Sequence, residues 1–463
     1  MRKLQPRIEI SELLPLITFF VSILIPLPFI LRTYAWADDW SFLYEYNFHE
    51  RHIEHLSGLR PLLQLIFDIT FPFASSHETL FLLRLIGVIG CSLISLTSYK
   101  FFVRNGFGTF FGLSIALLLG LLPSFQIYIK WATAFPYTWA CLFSLWGTIF
   151  WLKDKFLAAT LFTLVAFFIY QPAGVFGSAL LFALILNGTW GVPLKKFFIW
   201  IIIVFASSQM LAIILNKVLG IGLKSRASLI HTPEDIFLKI IWILTRPTTL
   251  SSRIFLVDSP GVIYSALSLI PYLIAVLSLL KIHYKNYFRS VSGFLQLTVL
   301  FLTALLPVLV IEENQIEFRI LPGTSFIGLI ILVSSLNQLI KRKQVKYLAL
   351  SILMFSVVIY SNNWSNKVFF ESYTNESNFI RSSMANIDNH GGLLNYRITY
   401  EDWPQRQWIG SLSAISDLQM EWVLPGMIYF ETGKKFYVVR SNNLNDLVTF
   451  DFDKYRIQLM SVK

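Results

Sequence analysis

Asp38 and Asp39 stand side by side in "YAWADDWSFL", flanked by tryptophans and just beyond the first long apolar run. Adjacent carboxylates repel, which raises one of their two pKa values and suits that group to take a proton from a substrate hydroxyl. Aspartate is also a good helix N-cap, so a structural role stands beside the catalytic one. The loop continues as "YEYNFHERHIEHLSGLRPLL". His49, His52 and His55 are spaced i, i+3, i+6, so the third turns away from the face the first two share. H-E-x-x-H is absent, and an amphipathic helix lying on a membrane surface outranks a metal site. His55 remains a substrate-binding candidate. Arg60 precedes Pro61, a good first helical residue, and its guanidinium suits a phosphate.

Further polar groups cluster at the ends of apolar runs. "SFQIYIKWATAFPYTW" supplies Gln126, Tyr128, Lys130 and Trp131; "IYQPAG" supplies Tyr170 and Gln171; "ENQIEFRILPG" supplies Glu317 and Arg319. Arg84 lies about one turn inside another run. Singly, each cation is able to snorkel to an interface without any function. Together with the aspartates they fall at one membrane face, which predicts a cavity lined by acids and by phosphate-compatible cations. No G-x-x-x-x-G-K-[ST], G-x-G-x-x-G or G-x-S-x-G motif occurs, so any activated donor must arrive through the membrane.

The elements that must hold these residues are set by hydropathy. The chain has 463 residues, 55% hydrophobic and 14% charged, where a soluble domain is roughly a quarter charged. Its apolar residues come in runs long enough to cross a bilayer, such as "LLPLITFFVSILIPLPFIL" and "FIWIIIVFASSQMLAIIL". The pattern predicts an α-helical polytopic membrane protein of about eleven spans. They fall near 13–31, 80–102, 107–123, 137–152, 156–170, 173–188, 197–215, 261–280, 291–310, 323–340 and 347–361. The net charge of +11 forms no nucleic-acid patch, because Lys and Arg punctuate alternate loops. By the positive-inside rule the N-terminus is cytoplasmic and "WADDW" emerges outside. The first run resembles a signal peptide ending in "AWA", but it is longer than the usual h-region and broken by prolines, so it reads as a span. Tyr34, Trp36, Trp40, Tyr44 and Tyr46 read as an interfacial aromatic belt. Both cysteines, Cys91 and Cys141, read as small buried hydrophobes.

This divides the chain into a transmembrane unit, 1–361, and a small extracytoplasmic α/β domain, 362–463. The first holds long outer loops at 34–79 and 216–260. In the tail, "MIYFETGKKFYVVR" and "LVTFDFDKYRIQLM" alternate as strands and hairpins do.

The architecture resembles the GT-C class of integral membrane glycosyltransferases: an inside N-terminus, one span, then an outer loop opening on an acidic pair. Within that class, "ADDW…LRPL", "YQPAG" and "EFRILPGTSF" are similar to the bacterial Gtr-type (glucosyl transferase GtrII) family of O-antigen glucosyltransferases. The resemblance implies a donor such as undecaprenyl-phosphate glucose and a surface-polysaccharide acceptor. It implies an active site facing the periplasm from the bacterial inner membrane, and cellular links to a donor-synthesising enzyme and a flippase. Asp38 and Asp39 would include the general base. Arg60 and Arg319 would balance the leaving lipid phosphate, beside Lys130, Tyr170, Gln171, Glu317, Arg84 and His55. The reaction would invert the anomeric carbon. No cofactor is required; a divalent metal is possible for the class but not favoured. The rival readings are a transporter or flippase, which would place charges at the midplane and show inverted repeats, and a polysaccharide polymerase or ligase.

Overall fold

The computed structural model describes residues 10–36, 38–47, 54–188, 193–223, 230, 232–245, 247–252, 287–311, 318–384, 393–399, 424–432, 437–440, 448–452 and 455–461. The span expected at 261–280, together with Glu317, His49 and His52, lies outside the described residues.

The chain runs through α1 (Ile10–Leu24), α2 (Leu27–Ile30), α3 (Asp38–Asn47), α4 (Glu54–Ser57), α5 (Pro61–Thr70), α6 (Phe81–Arg104), α7 (Thr109–Leu119), α8 (Pro123–Lys130), α9 (Pro136–Trp151), α10 (Phe156–Ile169), α11 (Gln171–Gly174), α12 (Ser178–Leu186) and α13 (Leu194–Leu219). Then follow α14 (Pro233–Thr245), α15 (Pro247–Ser252), α16 (Tyr287–Thr303), α17 (Leu306–Leu309), α18 (Pro322–Leu339), α19 (Lys343–Ser365), α20 (Ser372–Met384) and α21 (Leu424–Thr432). The strands are β1 (Leu393–Thr399), β2 (Tyr437–Arg440), β3 (Val448–Phe452) and β4 (Tyr455–Ser461).

This is a helical protein built to sit in a membrane. Among the described residues, five helical stretches are long and apolar enough to cross a bilayer: Leu13–Ile30, α6, α13, α18 and Lys343–Ser382. The pair α7 and α8, bent by 48° at its break, passes the same test only when the two are taken together, as a broken span or a re-entrant loop. Several expected spans are shorter helices: Phe156–Ile169, Gln171–Leu186 and Val291–Thr303.

Prolines explain the breaks. Pro61, Pro123, Pro136 and Pro322 each sit at a helix start, where the missing N–H is no loss. Pro26 caps α2, which carries Pro28 in its first turn, and so divides it from α1. The run expected at 107–123 is thus α7 and the turn after it, and Pro123 opens the tilted α8 beyond its end.

Helix α6 packs closely on α8, α9 and the turn between them. Its side against them carries Gly87 and Gly90. A Cβ at Gly87 would lie 3.2 Å from the Tyr128 carbonyl oxygen, and one at Gly90 would lie 2.5 Å from Thr138 Oγ1. Small residues let helix backbones approach where lipid gives no hydrophobic drive.

Position 361 falls inside a helical run that continues through a π-turn at Asn366–Glu371 into α20. "MIYF" alternates like a strand, yet it lies in α21. Met427 and Ile428 are buried there, and Trp40 of α3 packs near Phe430, 6.3 Å between ring centroids. Tertiary burial thus overrides a two-residue period too short to decide. The strands form a four-stranded sheet of order β2-β1-β4-β3, with β1 and β2 parallel and the other pairs antiparallel. Its register aligns Ile398 with Ile457 and Phe450 with Ile457, so apolar positions share one face.

Candidate functional site

The site is built from the short segments between long helices. Residues 32–36 follow α2 and lead toward α3, and α6 holds them through Arg84. Arg84, in the first turn of α6, is 0% exposed. It donates through Nη1 to the Arg32 carbonyl at 3.2 Å and through Nη2 to the Tyr34 carbonyl. Its guanidinium carbon also lies 3.5 Å from the centre of the Tyr34 ring. Arg84 therefore does not snorkel to an interface; it turns inward and grips the main chain ahead of the aspartates.

Asp39 is 0% exposed and is held from two directions. Trp36 N–H donates to Oδ2 at 3.1 Å, from the main chain just ahead of α3. Thr133 N–H donates to Oδ1 at 2.8 Å. Burial pushes the Asp39 carboxyl up from its ordinary 3.8 to about 6, while the Arg84 charge and the two amides pull the other way. Burial likewise raises the Tyr34 hydroxyl, which donates to the Lys130 carbonyl at 2.6 Å. Asp38, at the start of α3, is only half-buried.

The expected aromatic belt is instead core. Tyr34, Trp36 and Trp40 are buried. Trp36 meets Trp131 edge-on at 4.8 Å, and Trp40 stacks on Tyr373 at 6.0 Å. Tyr44 packs against Tyr429 at 6.1 Å, and the Tyr46 side chain lies outside the described residues.

From Trp131 the contacts run on to the predicted cations. The Arg319 guanidinium sits over the Trp131 ring at 5.1 Å, and the Tyr128 hydroxyl donates to the Arg319 carbonyl. Tyr128 meets Tyr137 edge-on at 5.4 Å, and Tyr137 stacks on Tyr170 at 3.8 Å and 11°. Arg60 covers Tyr170 at 5.0 Å and donates through Nε to Gln171 Oε1 at 2.9 Å. Gln171 returns its amide to the carbonyls of Gly58 and Leu59, at 3.2 and 3.1 Å. Leu59 has φ +60, a strained conformation for a leucine, so Gln171 braces a turn that orients Arg60.

Asp39, Arg319, Tyr170, Gln171 and Arg60 thus belong to one chain of contacts, and Arg84 holds its near end. Two predicted residues are placed differently. Lys130, 1% exposed, directs Nζ away to Gln126 Oε1 and Ser365 Oγ and over the Phe29 ring at 4.7 Å. Ser361 completes that cluster by donating to Gln126 Oε1 at 2.7 Å. His55 stacks on Phe42 at 5.2 Å and packs on Phe67 at 4.9 Å. Among the described residues no three His, Cys, Asp or Glu side chains gather to hold a metal.

Residues not singled out in the sequence also belong here. Thr133 acts through its main-chain amide, which no side-chain pattern announces. His77 lies 6.0 Å from Trp40 by ring centroid, and burial lowers its pKa against the nearby Glu431 and Glu78. Glu431 accepts from Tyr373 Oη at 3.3 Å and from Arg381 Nε at 2.7 Å, tying α20 to α21.

Compared with models of known protein families, with curated proteins and with solved structures, the chain matches none.

Proposed function

We propose that this protein is an integral membrane glycosyltransferase of GT-C type, similar to the Gtr-type O-antigen glucosyltransferases. It would move a monosaccharide, most simply glucose, from an undecaprenyl-phosphate-linked donor to a hydroxyl of a surface polysaccharide. In this reading about eleven helices span the bacterial inner membrane. The N-terminus is cytoplasmic, and the site and the C-terminal α/β domain face the periplasm. The observation that carries the reading is the contact chain from Asp39 through Trp36 and Trp131 to Arg319, and through the tyrosines to Arg60. It ties Asp39 to two arginines at helix ends, where this reading puts the donor's phosphate.

The chemistry needs little more. A glycosyl phosphate already carries its leaving group. An aspartate takes the acceptor's hydroxyl proton, and the oxygen attacks the anomeric carbon. The C–O bond to phosphate breaks with its electron pair going to the phosphate, and the configuration inverts. Arg60 and Arg319 balance the charge that collects on the leaving lipid phosphate. Helices that position the two substrates supply the rest of the rate. Partners in the cell would be a donor-synthesising enzyme and a flippase.

The test is transfer of label from a panel of undecaprenyl-phosphate monosaccharides to isolated polysaccharide by the purified protein in proteoliposomes. Incorporation with one sugar supports the reading. No incorporation with any sugar favours a transporter instead.

A further inference from the structure

Helix α14 lies in the stretch that reads as a long outer loop, yet it carries an inverted pattern. At about 100° per residue, Ile236, Phe237, Leu238, Ile240, Ile241 and Leu244 fall on one face about 200° wide. All six are between 41% and 68% exposed. The buried side chains of α14 are Lys239 and Trp242, on the narrow opposite face. A helix on a water-facing surface does the reverse, with its apolar stripe inward and its charges outward.

The two ends of α14 differ as well. Its start is polar, with Glu234 and Asp235 in the first turn. Asp235 Oδ2 accepts the Thr232 N–H at 3.0 Å, and Thr232 Oγ1 accepts the Asp235 N–H at 3.1 Å, which closes a capping box. Its last turn is apolar, and hydroxyls cover the carbonyls there. Residue 247 is proline, so the Ile243 carbonyl lacks the N–H that a continuing helix would bring. Thr248 Oγ1 donates to that carbonyl instead, at 2.8 Å. Thr245 Oγ1 donates to the Ile241 carbonyl at 2.7 Å. At a helix end in water the solvent satisfies such carbonyls; in hydrocarbon side chains must do it.

We propose that α14 is inserted, C-terminal end first, into the bilayer leaflet at the C-terminal end of α13, with lipid acyl chains against its Ile236–Leu244 face.

The neighbouring elements fit this. On α13, one of the bilayer-crossing stretches, Met210, Ile214 and Val218 are exposed in the same way. The Ile230 N–H donates to the Val310 carbonyl at 3.2 Å, which anchors the approach to α14 just after α17. Beyond α14, α15 packs on α18, another bilayer-crossing stretch. The 13 residues of α14 make a helix of about 20 Å, shorter than the roughly 30 Å hydrocarbon core, so it enters without crossing. Its acidic first turn stays at headgroup level, where charge costs less than at the bilayer centre. Lys239 turns away from the lipid, its ammonium 4.7 Å from the centre of the Trp242 ring. None of this rests on the transferase reading.

The test places spin labels on single cysteines in the full-length protein, one copy per nanodisc, with Cys91 and Cys141 replaced by alanine. The labelled variants are Phe237→Cys, Ile241→Cys and Leu244→Cys. Ile214→Cys on α13 is the lipid reference, and Lys153→Cys, in the exposed turn after α9, is the water reference. Collisions with oxygen, which concentrates in hydrocarbon, are compared with collisions with a water-soluble nickel chelate. The oxygen-to-nickel ratio is expected to lie several-fold above that at position 153, to rise from 237 to 244, and to reach the value of position 214 at 244.

Ratios like that at position 153 put α14 in water and overturn the inference. Low collisions with both reagents mean that another part of the chain covers the face, which overturns it too. Equal ratios at 237 and 244 leave the helix flat on the surface and overturn the insertion. Where a labelled variant does not fold, the wild-type protein is photolabelled with an apolar diazirine dissolved in the lipid. Label in peptides covering 233–245 at the density found on α13 supports the inference, and its absence there overturns it.

Discussion

Thr133 and Asp39 are 94 residues apart in sequence, yet the Thr133 amide donates to Asp39 Oδ1 at 2.8 Å. This one bond joins the loop after the first span to the bend between α8 and α9. It is a side-chain-to-main-chain contact in a buried place, where an unmatched acceptor costs about 1–3 kcal/mol. The bond is therefore both a constraint on the fold and the reason Asp39 is not at the surface.

The carboxyl so enclosed gives stability a defined pH dependence. Its pKa in the fold, about 6, lies above the ordinary 3.8. Between those values the folded chain keeps a proton that the unfolded chain has lost. The unfolded state binds fewer protons there, so stability falls as pH rises from about 4 to about 6, then levels off. The total is on the order of 3 kcal/mol for a two-unit displacement. Thermal unfolding in detergent across pH 4–7 should show this slope in the wild type and not in Asp39→Asn. A slope that survives in Asp39→Asn would assign it to another group.

Gln171 braces the turn at 58–60 with both ends of its amide. Gln171→Leu removes the acceptor for Arg60 and the donor to two carbonyls, and should cost about 2–3 kcal/mol. Gln171→Glu keeps an acceptor for Arg60 but loses the donor, so it should fall between. Melting temperatures in the order Gln, Glu, Leu check the brace; equal values for Glu and Leu would show that the Arg60 bond contributes nothing.

Why some of this was legible in the sequence and some not follows from range. Apolar runs announce spanning helices, and prolines announce their starts, because both act locally. The pairing of Arg60 with Tyr170 and Gln171 was prefigured only as polar residues at span ends; their contact spans 111 residues from Arg60 to Gln171. Arg84 reads as a snorkelling cation because its partners are carbonyls, which every residue has. The tryptophans read as a belt because amphipathic rings suit both an interface and a crowded core. Lys130 reads as a cation facing a cavity, but Gln126 and Ser365 take it into the helix packing. In the tail, a short alternating stretch in "MIYF" was outweighed by packing of α21 against α3.

Gly90 lets α6 approach α9 closely. A Cβ there would meet Thr138 Oγ1 at 2.5 Å and Trp139 Nε1 at 3.1 Å. Gly90→Ala should cost about 1–3 kcal/mol, as overpacking does, even though alanine is the better helix former. Thr138→Ala removes the nearest atom, so Gly90→Ala should be milder in that background. Melting temperatures of the two singles and the double give the coupling. Strictly additive values would mean that α6 moves away as a whole.

Arg60 and Arg319 sit at opposite ends of the tyrosine contacts, and each lies over an aromatic ring at about the same distance, 5.0 and 5.1 Å. If both meet the donor phosphate, Arg60→Ala and Arg319→Ala should each weaken binding of undecaprenyl phosphate roughly 10- to 100-fold, the worth of one charge-assisted hydrogen bond. Acceptor KM should change little. Lys153→Ala, an exposed cation in the turn between α9 and α10, is the control and should bind as wild type does. Arg60→Lys keeps the charge but not the bond through Nε to Gln171, and should recover only part of the loss. Binding measured by isothermal titration, with the acceptor KM from steady-state transfer, separates the two substrates. An equal fall in donor binding and acceptor KM for Arg319→Ala would place Arg319 at the positioning of the whole site rather than at the phosphate.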